Sequence, residues 1–138
     1  MSDLIPLVRP AHSCTPWPDV ITVIAWNDPV IEQAHGSIAT TSDEFLIWWG
    51  NTLGPTALLV ARHLALYATD GESEWPLDQL AGTYGVGVAT IGRTLDRLAR
   101  FGIVARNGST VAVRLIAGPL SQRQIDRLPS YLAEARES

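Results

Sequence analysis

The sequence predicts an α+β fold that is mostly helical, and two patterns carry this prediction. Residues 77–101 contain a short and a longer helical pattern, separated by a glycine-containing turn at residues 85–87. Residues 103–106 and 110–115 are alternating apolar runs that flank Asn107-Gly108-Ser109, and an Asn-Gly turn in this setting is among the strongest short-range signals for a β-hairpin. Together these patterns predict a helix-turn-helix followed by a hairpin.

The N-terminal segment, residues 1–41, is expected to form an arm and one strand. Pro6, Pro10, Pro16 and Pro18 interrupt residues 1–19, and because proline removes a backbone donor this stretch is expected to be extended. Residues 20–26 are rich in β-branched and aromatic side chains and end at Asn27-Asp28-Pro29, a pattern typical of a strand closed by a turn. The strand has no obvious partner in the sequence. Residues 28–41 are expected to be a loop with at most a helical turn.

The predicted helical domain occupies residues 42–118. Ser42 is a favourable N-cap and is followed by two acidic residues, so a helix is expected to start there and to run to about residue 51. Pro55 favours a second helix to about residue 68, because proline is tolerated at the first helical position. A short helix at residues 77–84 and a longer one at residues 88–101 precede the hairpin.

Residues 119–138 are expected to form a helical tail. Ser121 is predicted to cap a short helix ending at Leu128, and Pro129-Ser130 restarts the chain as a final helix to about Arg136.

The longer helix has one strongly apolar side. Ile91, Leu95 and Leu98 fall at positions i, i+4 and i+7, so they share a face that is expected to point into the core. Gly92 in the same helix costs roughly 1 kcal/mol relative to alanine, which favours close approach of DNA or packing against another helix at this position.

Residues 75–114 resemble the DNA-binding domains of winged helix-turn-helix transcriptional regulators. The resemblance is carried by Leu80-Ala81, by the pattern Thr-Ile-x-Arg-x-Leu-x-x-Leu over residues 90–98, and by Phe-Gly-Ile-Val at residues 101–104. Leu53-Gly54-Pro55-Thr56 and Arg127-Leu128-Pro129 are similar to segments of small uncharacterised bacterial winged-helix proteins. The resemblance implies a winged helix with a recognition helix at about residues 88–101 and a wing at about residues 103–115. It also implies sequence-specific binding of double-stranded DNA in transcriptional regulation.

DNA contacts are expected from the exposed side of the recognition helix and from the wing, because an α-helix fits the major groove and its exposed side chains reach bases and phosphates. The residues expected to make them are Thr90, Arg93, Thr94, Arg97 and Arg100 on the helix, with Arg106 and Arg114 on the wing. An alternative is that these arginines are only solvated. Asp96 lies at helical spacing from Arg93 and Arg100 and could pair with either of them.

The charge distribution is uneven along the chain. The formal net charge of −4 argues against a nucleic-acid binder, because such proteins usually carry a basic surplus. Residues 1–80, however, hold ten acidic residues and two arginines, whereas residues 81–138 hold four acidic residues and eight arginines. The two halves are therefore expected to face different partners. All ten Lys/Arg positions are arginines. Arginine is the better bidentate ligand for phosphate and guanine, but a GC-rich genome would explain the same bias.

Aromatic residues in the acidic half predict an interface. A tryptophan side chain is costly to expose to water, so it is usually buried in the core or in an interface. Two adjacent tryptophans on a helix point about 100° apart, so both cannot face the same way. Core packing would account for some of these residues. The candidate dimer or partner surface comprises Trp26, Phe45, Trp48 and Trp49. A homodimer that reads paired half-sites is expected; the alternatives are a winged-helix module that binds another protein without a DNA target, and a small-molecule pocket among the aromatic residues.

Other functional classes find no support in the sequence. The three histidines are scattered, and no catalytic or nucleotide-binding motif is present, so neither an enzyme, a metal site nor a cofactor is expected. Cys14 is the only cysteine and cannot form an internal disulfide, which favours a cytoplasmic setting. The N-terminal sequence lacks the pattern of a secretory signal, and no apolar run is long enough to cross a membrane.

Overall fold

The structure, a computed structural model, describes residues 16–137. The expected extended conformation of residues 1–15 and the setting of Cys14 lie outside the described residues. In the described part of the chain the strands are β1 Val20–Trp26, β2 Ile38–Ala39, β3 Ser73–Pro76, β4 Val104–Asn107, β5 Thr110–Arg114 and β6 Ile116–Ala117. The helices are α1 Pro29–Glu32, α2 Asp43–Leu53, α3 Pro55–Thr69, α4 Leu77–Thr83, α5 Val88–Arg100, α6 Gln122–Asp126 and α7 Ser130–Glu137. The α+β class is confirmed, and about half of the described residues are helical.

The four main helices begin close to where local signals place them. The Ser42 hydroxyl accepts a hydrogen bond from the Phe45 backbone N–H, which caps α2. Pro55 stands at the start of α3, where its missing N–H costs nothing. Gly85, with a φ of 70°, follows α4 and makes the turn into α5.

The hairpin of β4 and β5 is confirmed, with one difference in its turn. Asn107 is the last residue of β4 and pairs with Thr110, so the turn is made by Gly108 and Ser109 alone. Gly108 has a φ of 63°, a left-handed conformation that glycine adopts without the steric cost of a side chain.

The predicted N-terminal strand lies inside a mixed sheet of order β3-β1-β5-β4. β1 pairs antiparallel with β3 and parallel with β5, and its alternating side chains Ile21 and Val23 are fully buried. The strand assigned to the N-terminal segment therefore shares one core with the helices of residues 42–118.

The sequence does not predict three of the strands, β2, β3 and β6. β3 contains Glu74 and ends at Pro76, both poor strand formers, and it is tolerated because it is the edge of the sheet. β2 is very short and pairs with the distant β6, where Ile38 lies opposite Ala117. No local turn signal connects β2 with β6, so the pairing of these two strands depends on the tertiary fold.

The helical tail is confirmed at both of its helices. The Ser121 side chain and Gln124 form a reciprocal capping box at the start of α6. Leu128 and Leu132 are buried and anchor the tail. No helix between residues 16 and 137 is long and apolar enough to cross a membrane.

Candidate nucleic-acid interface

Helix α5 has a buried side and an exposed side. Ile91, Leu95 and Leu98 are fully buried, as the spacing predicts. The opposite side carries an exposed stripe formed by Ala89, Arg93, Asp96 and Arg100. The buried side fixes the helix to the core, so the direction in which the stripe faces is fixed as well.

The first turns of α5 present polar groups to solvent. The exposed Arg93 donates from Nη2 to the Thr90 hydroxyl at 3.2 Å. No side chain caps the helix N-terminus at Gly87, so the first backbone N–H groups have no side-chain acceptor among the described residues. Such N–H groups, together with the helix dipole, favour an anion such as phosphate.

Arg100 lies at the far end of the stripe. Its side chain is exposed, and it has no hydrogen-bond or ion-pair partner among residues 16–137. Arg93 and Arg100 are two helical turns apart, about 10 Å along the axis.

Thr94 does not belong to the exposed side, and the expectation that it does is wrong. Its side chain is buried, and its hydroxyl donates to the Thr90 carbonyl at 2.8 Å. Thr94 follows Ile91 at i+3 and precedes Leu98 at i+4, so it shares their face of the helix.

Arg97 links α5 to the end of α2 instead of pointing outward. Its Nε donates to the Leu53 carbonyl at 2.8 Å and its Nη2 to the Thr52 carbonyl at 2.7 Å. These are carbonyls of the last turn of α2, which have no partner within the helix. The guanidinium also lies 5.2 Å from the centroid of the Phe101 ring.

Arg114 is likewise held by the protein itself. Its guanidinium lies 3.7 Å from the Trp26 ring centroid, and its Nε donates to the Gly102 carbonyl at 2.7 Å. An ion pair of 3.1 Å joins its Nη1 to the Asp28 carboxylate. The pKa of Asp28 lies below its usual value, mainly because the Arg114 side chain donates a hydrogen bond to the carboxylate.

Arg106 on β4 is stacked against the N-terminal segment. Its guanidinium lies 3.9 Å from the Trp17 ring centroid, and its Nη2 donates to the Pro16 carbonyl at 2.8 Å. A further hydrogen bond runs from its Nε to the Gly108 carbonyl at 2.9 Å. Burial lowers the pKa of Arg106, and the charge of Asp96 opposes this effect.

Trp17 also contacts α5. A side-chain carbon built on Gly92 would lie 3.2 Å from Trp17 Cδ1, so the glycine makes room for the indole. The indole N–H donates to Asp96 Oδ1 at 3.0 Å. In the described part of the chain, the close approach expected at Gly92 is made by Trp17 of the N-terminal segment.

Two of the four aromatic residues expected at an interface belong to the core. Phe45 is fully buried and Trp49 is 5% exposed, and their rings stack at a centroid distance of 5.9 Å. Phe45, Trp49 and Leu53 follow one another at i+4 spacing, which places them on the inner face of α2. Trp26 is half-buried beneath Arg114, and Trp48 is half-buried beside a cleft.

That cleft has a volume of about 420 Å³ and combines apolar walls with basic side chains. The sequence offers a small-molecule pocket among the aromatic residues as one alternative, and Trp48 and Trp49 line this cleft; no local pattern identifies its other walls, because they come from separate segments of the chain. The lining residues are His35, Gly36, Ile38, Trp48, Trp49, Pro119, Leu120 and Arg136.

A histidine–tyrosine cluster joins α3 to the end of α4. His63 Nδ1 lies 2.6 Å from the Tyr84 hydroxyl, and His63 Nε2 lies 2.8 Å from the Tyr67 hydroxyl. The Tyr67 ring stacks on Trp75 of β3 at 4.2 Å. Both ring nitrogens of His63 are thus occupied, and no group of three or more metal-ligating side chains is found between residues 16 and 137.

No family model matches the chain, and no curated protein and no solved structure is significantly similar to it. The resemblance to winged-helix regulators therefore depends on the sequence motifs alone.

Proposed function

We propose that the chain binds double-stranded DNA as a transcriptional regulator, with α5 as a recognition helix in the major groove. The observation that carries this proposal is the exposed stripe of α5, in which Arg93 and Arg100 face solvent while the opposite side of the helix is buried. A helix fixed in this way presents the same side chains to every duplex that it meets.

The proposed contacts are fewer than the sequence implies. Arg93 and the uncapped N–H groups at the start of α5 would bind phosphates or bases, and Arg100 would bind the backbone further along the groove. Arg97 and Arg114 are left out of this set because their guanidinium groups hold backbone carbonyls. The hairpin of β4 and β5 would take the place of the wing.

Selection from random duplexes tests this function. The full chain is incubated with double-stranded DNA of random sequence, and recovered fragments are sequenced over several rounds. A recurring motif whose binding weakens steeply with salt supports the proposal, because each neutralised phosphate contributes about −0.9 to the slope of log K against log salt. Failure to enrich any motif, with no binding above the non-specific level, contradicts it.

The proposed regulator is a homodimer, because paired recognition helices read paired half-sites. With Phe45 and Trp49 in the core, the exposed apolar side chains of α2 and α3 are the better candidate surface; these are Leu46, Ile47, Leu59 and Leu66. Sedimentation velocity over a wide range of protein concentrations tests this, and a sedimenting monomer at every concentration contradicts the dimer.

A second candidate function is a protein-interaction module without a DNA target. The cleft beside Trp48 favours it, since clefts with aromatic walls and a few polar groups suit peptide or ligand side chains. Binding through this cleft would lose little affinity with salt and would be weakened by Trp48→Ala, whereas binding to DNA would show the opposite pattern.

A further inference from the structure

The N-terminal segment crosses from α5 to the hairpin. On α5, the Trp17 indole lies over Gly92 and donates to Asp96 at 3.0 Å. On β4, Arg106 stacks on the same ring at 3.9 Å and binds the Pro16 carbonyl. One side chain therefore bridges the proposed recognition helix and the proposed wing.

This crossing occupies part of the surface that the proposed function requires. Asp96 belongs to the exposed stripe and lies between Arg93 and Arg100. Arg106 is a basic residue of the hairpin; its Nη2 donates to the Pro16 carbonyl and its Nε to the Gly108 carbonyl. A duplex that received α5 and touched the hairpin would meet Pro16 and Trp17 between them.

We propose that Pro16 and Trp17 form an autoinhibitory cover over the DNA-binding side of α5 and the hairpin, which duplex DNA must displace. This inference rests on the proposed function. Displacement would open the space between the exposed stripe and the hairpin and would remove the contacts of Arg106 with Pro16 and Trp17.

The cover is suited to reversible opening. Trp17 and Pro18 are only half-buried, and Pro16 and Asp19, which flank this pair, are exposed. The polar contacts of the cover include a hydrogen bond to a carboxylate, a cation–π contact and a backbone carbonyl, each of which is weak at a surface, while the indole packs against the edge of the core beside Gly92. The apparent affinity of a covered site falls in proportion to the open fraction, so we expect the cover to weaken binding about three- to tenfold.

Binding of the full-length Trp17→Ala variant to the selected duplex tests the cover. The variant should bind about three- to tenfold more tightly than the wild type. The affinity of Trp17→Phe should lie between those of the wild type and Trp17→Ala, because phenylalanine keeps an aromatic ring but lacks the N–H that donates to Asp96. Tyr131→Ala, which removes an exposed ring from α7, is the matched control and should bind as the wild type does.

A second measurement does not depend on how well Trp17→Ala folds. Wild-type protein carrying 5-fluorotryptophan is titrated with the duplex and followed by fluorine NMR. The Trp17 resonance is the one that is missing from the spectrum of Trp17→Phe. The cover predicts that this resonance moves toward the position of a solvent-exposed indole on binding, while the resonance of the buried Trp49 keeps its position.

The outcomes separate the two proposals. Equal or weaker binding by folded Trp17→Ala, or a Trp17 resonance that does not move toward its solvent-exposed position, overturns the cover and leaves DNA binding established. If neither the wild type nor any variant binds duplex DNA above the non-specific level, the proposed function fails and the cover fails with it.

Discussion

The indole of Trp17 lies over Gly92, a residue from a distant part of the chain and the only glycine of α5. A Cβ at Gly92 would be 3.2 Å from Trp17 Cδ1, closer than ordinary contact. The glycine costs the helix roughly 1 kcal/mol relative to alanine, and the packing of Trp17 gives that cost a structural reason.

A double-mutant cycle tests this relationship in solution. In a Trp17→Ala background, Gly92→Ala should stabilise the protein by about 1 kcal/mol, because only helix propensity changes. In the wild type the gain should be smaller by at least about 0.5 kcal/mol, because the new methyl group displaces the indole. Urea unfolding of the four proteins gives the coupling, and effects that add within about 0.3 kcal/mol would show that the two residues do not touch.

Arg97 is predicted to contribute to stability rather than to DNA affinity. Arg97→Ala removes two hydrogen bonds from a charged donor to the carbonyls of Thr52 and Leu53, so the free energy of unfolding should fall by about 2 kcal/mol. Arg93→Ala, on the exposed stripe, should change it by no more than about 0.5 kcal/mol. Unchanged stability of Arg97→Ala, with a reduced salt dependence of DNA binding, would return Arg97 to the interface.

The ion pair of Asp28 and Arg114 is predicted to lose its stabilising effect below about pH 4. The pKa of Asp28 is lowered in the folded protein, mainly by its hydrogen bond from Arg114, so the stabilising effect is present above the usual aspartate pKa. That effect is lost as the pH falls through the lowered value. Thermal unfolding in buffers from strong acid to neutrality should therefore show a Tm advantage of the wild type over Asp28→Asn that is largest near neutrality and shrinks in acid. A Tm difference that stays constant over this range would contradict the role of the carboxylate charge.

Phe45 is predicted to be a core residue with no part in an interface. Phe45→Ala should lower the free energy of unfolding by about 3–5 kcal/mol, the usual cost of removing a fully buried phenylalanine. The control is Leu46→Ala at the neighbouring, exposed position, which should cost about 1 kcal/mol or less. A small loss for Phe45→Ala, together with a change in oligomeric state, would place this ring at a subunit contact.

The sequence predicts the elements whose signals are local. Ser42, Pro55 and Gly85 mark helix ends close to them, and Gly108 marks the hairpin, so α2 to α5 and the β4–β5 pair are found without tertiary information. The place of β1 is different. Its partners β3 and β5 are far from it along the chain, and no local pattern specifies which strands it joins.

The candidate site is predicted less completely than the fold. The positions of Arg93 and Arg100 follow from helical periodicity, and the burial of Thr94 could have been found from its spacing to Ile91 and Leu98. The contacts of the other three arginines could not, because each meets a carbonyl or ring from another segment; these are Arg97, Arg106 and Arg114. Gly92 is the one signal in the sequence for the contact with Trp17.

DNA binding by the exposed stripe of α5 is tested most directly by two double variants that remove the same charge. Arg93→Ala/Arg100→Ala alters the stripe, whereas Arg123→Ala/Arg127→Ala alters two exposed arginines of the helical tail. Fluorescence anisotropy with the selected duplex at several salt concentrations should show a loss of at least about tenfold in affinity for the first variant. Its salt slope should be smaller by about 1.8, and the second variant should match the wild type. Wild-type affinity in both variants, or an equal loss of affinity in both, would contradict a recognition role for α5.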